Sequence, residues 1–586
     1  MEDDKSFLIH ESELEDELSV LSDDGFVTAD EVDEEVEKKQ IDIDEFLKHG
    51  GECGRYQVLV QGCIMFAMLP MVYPIMIFYY IGYDPPWRCL YNNNNITRSV
   101  DFNKTCSNSS MIFPHDDSSR CDLDRSEWNF DYHKSTLVTE FDLVCNKNWL
   151  DALTGSIVFV GWGIGIIISG FLSDRYGRKR ILYPCLFMAL LLLLLHAVVN
   201  EMWQLLVIRF LMGIFYSAPA LNSYIMVMEL IGPNKRVMAT TVINFMWPIG
   251  ALAMTLKAKY IDSWRIFVIL CSAPYLLGVV TALCVPESVR WLNLKGRTKE
   301  AEAILRKAAK YNKKILPYVS LKPAELDKKH GKKASYIDLL KRWKLAKSML
   351  AQAFIWFQSG MTYYGLNWAF ADLGGDMYSN FILSFLVELP GVFLVWLLMQ
   401  KIGRKKTCIL MCSGTALACF GVACVPKVEK LKALRVALGL IGKFMISNVF
   451  VVVYMWSSEI YPTVLRTQGM GINIVTSRIG AATSPFIKIL DQFHVAAPFA
   501  LMVVCAVTAT LLALTLPETL GKPTRETLDD MISDGIEMRA IYSLNEDVEF
   551  RDERSPIPND NPDEQEDEVE ETDPLLIPEI QMLPAT

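Results

Sequence analysis

Apolar residues in this chain do not recur at the two-residue or 3.6-residue spacing of a half-buried strand or surface helix. They gather into about twelve long runs, each near the ~20 residues that a helix needs to cross a bilayer. The runs are Val58–Gly82, Ala152–Ser173, Ile181–Val199, Trp203–Ile231, Val237–Lys259 and Arg265–Val285, then Lys347–Phe370, Tyr378–Gln400, Thr407–Val425, Ala433–Ser457, Arg466–Ile489 and Ala496–Leu516. Hydrocarbon offers no water to backbone amides, so each run is expected as a helix that satisfies its own hydrogen bonds. The pattern therefore predicts an all-α membrane protein of twelve transmembrane helices. Pro70 and Pro74 inside the first run remove backbone donors and should bend it. Such a bend serves either to line a cavity or simply to pack.

The polar stretches divide the chain into an acidic tail (1–47), a first membrane half (48–285) with a large loop at 83–151, a basic linker (286–346), a second half (347–523) and a second acidic tail (524–586). Residues 1–47 carry 19 acidic and 3 basic side chains, and residues 524–586 carry 20 and 4. The net charge of −11 thus conceals two tails of −16 and a middle of +21. Both tails read as disordered, and nothing in such polyanions points to nucleic acid. The first 47 residues, acidic and polar, contain no cleavable signal pattern.

One short link carries more charge than any other between two runs. In Gly170-Phe-Leu-Ser-Asp-Arg-Tyr-Gly-Arg-Lys-Arg180, Arg175, Arg178, Lys179 and Arg180 mark a cytoplasmic turn by the positive-inside tendency. The stretch 295–347, with 17 Lys/Arg against 5 acids, is placed on the same side. Its amphipathic helix would either rest on anionic headgroups or act as a connector. The loop at 83–151 then falls outside. It holds the glycosylation acceptors Asn95, Asn103 and Asn108, and four cysteines, Cys89, Cys106, Cys121 and Cys145, for which three disulfide pairings are open. The other ten cysteines lie in or beside the runs and read as small core residues.

The basic turn recurs as Lys401-Ile-Gly-Arg-Lys-Lys406. Glu229 precedes Arg236, and Glu459 precedes Arg466, by the same seven residues, and Pro286-Glu287-Ser288 is echoed by Pro517-Glu518-Thr519. The offsets between copies are 226, 230, 230 and 231 residues, so the chain is two copies of six helices. Parallel repeats about an axis along the membrane normal are the layout of major facilitator transporters, with substrate bound between the halves. Asp174, Arg175, Arg178, Glu229, Arg236 and Glu287, with Arg404, Glu459, Arg466 and Glu518 in the second half, then read as gating charges. Ion pairs among them would form when that side is closed and break when it opens. The plainer alternative is that they are snorkelling anchors.

On these and other stretches the chain resembles the organic cation, anion and zwitterion (carnitine) transporter family of the major facilitator superfamily. The resemblance rests on Ser135-Thr-Leu-Val-Thr-Glu-Phe-Asp-Leu-Val-Cys145, Gly170-Phe-Leu-Ser-Asp-Arg-Tyr-Gly-Arg-Lys179, Pro286-Glu-Ser-Val-Arg-Trp-Leu292, Tyr363-Tyr-Gly-Leu366 and Glu459-Ile-Tyr-Pro-Thr-Val-Leu-Arg466. It covers roughly 40–525 and leaves the tails outside. Val289 departs from the family's usual proline.

Charges at bilayer depth are costly and mark functional sites. Three stand out: Glu388, Lys443 and Arg478. The resemblance implies that an Arg at 478 belongs to anion and carnitine members, where cation members carry an acid, and that Lys443 is carnitine-like. Val392 stands where anion members tend to carry Lys. Two fixed cations in a low-dielectric cavity attract a carboxylate, which Arg grips bidentately. Glu388 either holds a quaternary ammonium or pairs with Lys443 or Arg478. The family's cavity positions correspond to Asn244, Trp247, Trp356, Tyr363, Glu388 and Arg478, and Tyr364 sits beside them. Aromatic faces there suit organic cations and flat anions alike.

The expected function is a secondary active or facilitative transporter of small organic ions by alternating access. Zwitterions such as carnitine or organic anions come first, and organic cations second. A non-transporting sensor or scaffold on the same fold is the alternative of another class. No nucleotide-binding Gly-x-x-x-x-Gly-Lys-Ser/Thr loop, metal-ligand spacing or nucleophile-base arrangement appears, so no pump, enzyme or metal is expected. Sodium or a proton as coupling ion would be the only cofactor. Asp4-x-x-x-Leu8-Ile9 and Glu571-x-x-x-Leu575-Leu576 resemble acidic dileucine signals, which adds sorting adaptors as partners and an endosomal or lysosomal pool to a plasma-membrane location. Both termini are placed in the cytoplasm.

Overall fold

The computed structural model describes residues 39–89, 112–113, 118–131, 134–232, 235–314, 316, 319–323, 343–372, 376–461 and 466–521. Each apolar run is a helix: α1 (Arg55–Ile81), α2 (Asn148–Tyr176), α3 (Arg178–His196), α4 (Met202–Leu230), α5 (Arg236–Asn244 and Met246–Tyr260) and α6 (Trp264–Val280). The second half holds α7 (Trp343–Asp372), α8 (Met377–Lys401), α9 (Arg404–Cys424), α10 (Lys432–Ile460), α11 (Arg466–Ile487) and α12 (Ala497–Thr515). Among the described residues, nine of these are long and apolar enough to cross a membrane on composition alone. The other three are α5, α7 and α11. α5 is broken at Phe245, and buried polar groups such as Gln358, Asn367, Asn473 and Arg478 lie on α7 and α11.

Large apolar side chains face outward along the helices, among them Ile167, Phe171, Leu277, Leu417 and Val504. A soluble monomer does not carry so continuous an apolar exterior, whereas hydrocarbon requires one. α1 is interrupted where its prolines lie: the helix gives way to a 3-10 turn at Leu69–Val72 and resumes at Tyr73. Helices α1–α6 and α7–α12 form two halves, which meet where α2 packs along α11 and α5 along α8. Gly161 permits the close packing of α2 on α4, since a Cβ there would lie 2.2 Å from the Phe210 carbonyl oxygen.

The first loop is folded. Its Trp87–Cys89 strand is the centre of a three-stranded antiparallel sheet with Ile112–Phe113 and Trp128–Phe130. Cys121 and Cys145 form a disulfide, and Cys89 is also disulfide-bonded. Cys106, Asn95, Asn103 and Asn108 lie outside the described residues, as do both dileucine-like motifs (Leu8, Ile9, Leu575 and Leu576).

The expectation of a structureless tail through residue 47 is corrected. Lys39–Ile41 pairs in parallel with Val319–Leu321 of the linker, and Ile43–Gly50 is a helix. Ile41, Phe46 and Leu47 are buried with Val289, Trp291, Leu292, Ala301, Leu305, Val319 and Leu321. Three apolar side chains spaced along an acidic segment suffice to dock it, because the linker supplies the other half of a small core. That same packing occupies the apolar face of the amphipathic helix, Thr298–Tyr311, which therefore faces protein rather than lipid. The linker also ends earlier than expected, since α7 begins at Trp343.

Candidate substrate site

Six helices supply the centre of the molecule. On α7, Trp356, Tyr363 and Asn367 follow one another at seven and four residues, so they share a face. On α10, Lys443, Phe450 and Tyr454 do the same. Lys443 has no exposed surface. Its ammonium lies 3.2 Å from a Glu388 oxygen, donates to Asn367 Oδ1 at 2.8 Å and stands 3.2 Å from the centroid of the Tyr363 ring. The Tyr363 hydroxyl donates to Glu388 at 3.0 Å and accepts from the Trp247 indole N–H at 2.7 Å. This last bond joins α5 to α7 and so crosses between the halves. Glu388 is thus the counterion of Lys443, one of the pairings the sequence left open, and of the two fixed cations one remains without a carboxylate among the described residues.

That one is Arg478. Only 6% of it is exposed, and its guanidinium lies 3.3 Å over the ring of Trp162 on α2. The hydroxyls of Tyr364 and Tyr454 face it. Among the described residues no carboxylate pairs with Arg478, and its Nε has no hydrogen-bond partner. Buried polar atoms of Gln358, Ser384 and Ser477 on α7, α8 and α11 are likewise unpartnered. Buried groups of this kind ordinarily find partners, and the free Nε–H of Arg478 is a donor that a polar ligand could satisfy. Trp356 stands beside it, donating to Ser457 Oγ at 2.9 Å and meeting the Tyr454 ring edge-on at 4.5 Å. Asn244 is half-buried on α5 and makes no side-chain hydrogen bond with these groups.

Sequence reasoning missed Trp162, Asn367 and Tyr454. Helical spacing from Tyr363 and Lys443 would have reached the last two. Trp162, between Gly161 and Gly163, shows itself only as a large aromatic in a glycine-rich helix.

The site is closed at the end of the molecule that bears the cysteine-containing loop, here the loop face. Tyr79 donates to the Tyr364 carbonyl at 3.1 Å and packs on Trp368 at 4.8 Å, and Tyr80 stacks on Tyr378 at 6.3 Å. Lys134, from the loop, donates to the carbonyls of Ala258 and Lys259 that end α5 and to the Tyr378 hydroxyl at 3.3 Å. Toward the opposite end, the basic face, Tyr224 and Tyr454 approach across the halves at 6.4 Å and both remain half-buried.

The charges at the basic face form two matching clusters, each inside one half. Arg178 pairs with Asp174 at 2.7 Å and lies 3.9 Å from Glu229, which accepts from Ser288. Arg404 pairs with Glu459 at 2.9 Å, and Glu459 accepts from Thr519. Glu287 accepts the Lys179 amide, and Glu518 accepts the amides of Arg404 and Lys405. These two acids therefore cap the starts of α3 and α9 rather than pairing with a basic side chain. Two further expectations change. Arg236 pairs with Asp44 at 2.6 Å instead of Glu229, because the docked N-terminal helix brings Asp44 to it. Arg175 is exposed and stacks on the neighbouring Tyr176, outside the ion-pair cluster. Arg466 begins α11, and its side chain lies outside the described ones.

The sugar (and other) transporter family model matches residues 105–530. The human organic cation/carnitine transporter 2 is 33% identical over 416 residues, covering 70% of this chain and 74% of its own. Solute carrier family 22 member 15 of Xenopus tropicalis is 31% identical over 501 residues, covering 84% and 91%. The Drosophila melanogaster organic cation transporter protein is 32% identical over 461 residues, covering 76% and 80%. Among solved structures, the proton:xylose symporter of the major facilitator superfamily, bound to 6-bromo-6-deoxy-D-glucose, superposes with a TM-score of 0.57 at 18% identity, over 80% of this chain and 98% of that one. That likeness gives the fold. With the duplicated six-helix halves and the sequence matches together, the chain belongs to the sugar (and other) transporter family, in its organic cation, anion and zwitterion branch, and is a membrane transporter rather than an enzyme.

Proposed function

We propose that the protein carries small carboxylate-bearing organic ions, carnitine-like zwitterions or organic anions, by alternating access, and that Arg478 receives the carboxylate. The observation that carries this reading is a buried guanidinium with no carboxylate beside it among the described residues. An uncompensated charge in a low-dielectric interior is expensive, and a substrate carboxylate offsets that cost with bidentate, charge-assisted hydrogen bonds. Glu388 is already neutralised by Lys443, which leaves the Arg478 charge for a substrate carboxylate. A zwitterion's ammonium would compete with Lys443 for Glu388, and a simple anion would leave that pair intact. The organic cation reading requires Glu388 to be released from Lys443 and leaves Arg478 unpaired.

The basic turns, the linker and both termini are assigned to the cytoplasm and the disulfide-bearing loop to the outside of a plasma membrane. Sodium or proton coupling, and adaptor recognition of the dileucine-like motifs feeding an endosomal or lysosomal pool, belong to the same proposal. The test is uptake of radiolabelled carnitine, benzoate and tetraethylammonium, with and without sodium, by the wild type and by Arg478→Asp. Carboxylate uptake is expected in the wild type and should be lost in the variant. Unchanged selectivity removes the charge argument, and a wild type that carries none of the three favours the sensor or scaffold reading.

A further inference from the structure

Trp162 sits in α2 and Arg478 in α11, on opposite halves, with the guanidinium 3.3 Å over the indole. Both are almost wholly buried. We propose that Trp162 is a positioning residue for substrate: it holds the Arg478 guanidinium flat, so that the edge of the group meets a carboxylate. This rests on the reading of Arg478 as the carboxylate receptor.

A guanidinium binds a carboxylate in its own plane, through the fork of N–H groups along one edge. Stacking on an aromatic ring uses a face and leaves that edge available. An arginine side chain has several rotatable bonds, and unstacked it would have to be ordered by the substrate at each encounter. Two features fit Trp162 for the task. First, its own ring is fixed, meeting Tyr216 edge-on at 4.5 Å and lying nearly parallel to Phe159 at 6.5 Å. Second, Gly161 brings α2 close to α4, and Gly163 lies in contact with Arg478 itself. A Cβ on Gly161 would lie 2.2 Å from the Phe210 carbonyl oxygen of α4, and one on Gly163 would lie 3.7 Å from the Arg478 Cβ. No acid anchors the guanidinium among the described residues: the Trp162 ring takes its face, the hydroxyls of Tyr364 and Tyr454 accept hydrogen bonds from it, and its Nε–H is left without a partner.

The experiment has a substrate-free arm and an uptake arm. Purified full-length protein is treated with phenylglyoxal, and modification of Arg478 is followed by mass spectrometry. Trp162→Leu should raise the rate at Arg478 about tenfold, the order expected for losing a desolvated cation–π contact, while Trp162→Phe stays near the wild type. An unchanged rate in Trp162→Leu overturns the proposal. In uptake of radiolabelled carnitine or benzoate, Trp162→Leu should raise KM about tenfold and leave the maximal rate within about twofold, with Trp162→Phe recovering most of the loss. A fall in maximal rate with KM unchanged would mean that Trp162 only packs. Arg478→Gln separates the two readings. If it leaves carboxylate uptake intact, the substrate assignment fails. If it abolishes uptake while Trp162→Leu behaves as wild type, only the positioning role fails.

Discussion

Lys443 and Glu388 lie 3.2 Å apart between α10 and α8, and the Tyr363 hydroxyl completes the carboxylate's partners. A buried pair of this kind is held more by the penalty for losing one member than by a net gain from having both. Lys443→Met alone would strand a buried carboxylate and cost about 3–5 kcal/mol. Lys443→Met with Glu388→Leu removes both charges and should recover much of that loss. Thermal unfolding of the purified variants checks the order. If the double variant melts no higher than Lys443→Met, the pair is not what makes the lysine indispensable.

Arg404 and Arg178 hold corresponding positions in the two halves, yet Arg404 is 2.9 Å from Glu459 while Arg178 is 3.9 Å from Glu229. Both contacts lie within a half. If these contacts fix where the helix ends sit, they would bias the rocking equilibrium without touching substrate. Arg404→Gln should cut the maximal uptake rate about tenfold, with KM nearly unchanged, and Arg178→Gln, which also loses the 2.7 Å pair with Asp174, should do so comparably. A KM effect that outweighs the rate effect in either variant would place these charges in the binding site instead.

The turn glycine before α9 tests a different element of the same cluster. Gly403 has φ +93°, which disfavours any side chain, and a Cβ there would lie 2.3 Å from Glu518 Oε2. Gly403→Ala should cost about 1–3 kcal/mol and disturb the Glu518 cap. Burial alone would raise the Glu518 pKa, but the amides of Thr519, Leu520, Arg404 and Lys405 together hold it below the ordinary value of 4.5. A carboxyl whose pKa is lowered by folding contributes stability above the unfolded-state pKa and loses it as pH falls through the folded one. Wild-type stability should therefore drop below about pH 4.5 by a component that Glu518→Gln lacks, as measured by unfolding across pH. Parallel profiles for the two proteins would show that the cap is not stabilising.

The membrane architecture was legible because hydrocarbon imposes a length and a composition on each span, and because the repeat offsets tie the halves together. Ion-pair partners were less legible. Arg236 is seven residues from Glu229 in sequence, but the two are separated by the turn between α4 and α5, and Arg236 meets Asp44, which precedes it by 192 residues. The Lys443–Glu388 pair was one of several open readings, because the two lie on different helices and the rotation of one helix against its neighbour has no local signal. Trp162 was invisible for the same reason: only the α2–α11 crossing brings it to Arg478. The folded part of the tail was hidden by composition, since its acidic residues outnumber the few side chains that dock it.

That docked segment makes the last prediction. Phe46 and Leu47 are buried in the small core shared with the linker, while Asp44 bridges Arg236 and Arg290 near the surface. Exposed ion pairs contribute little, on the order of 1 kcal/mol or less, whereas a charge forced into an apolar core costs several. Asp44→Asn should therefore leave the segment in place, and Phe46→Asp should release it. Because Lys39–Ile41 and Val319–Leu321 share their hydrogen bonds, hydrogen exchange should rise together at both strands in Phe46→Asp. Faster exchange at 39–50 with 319–321 still protected would show that the linker strand is held by something other than the tail.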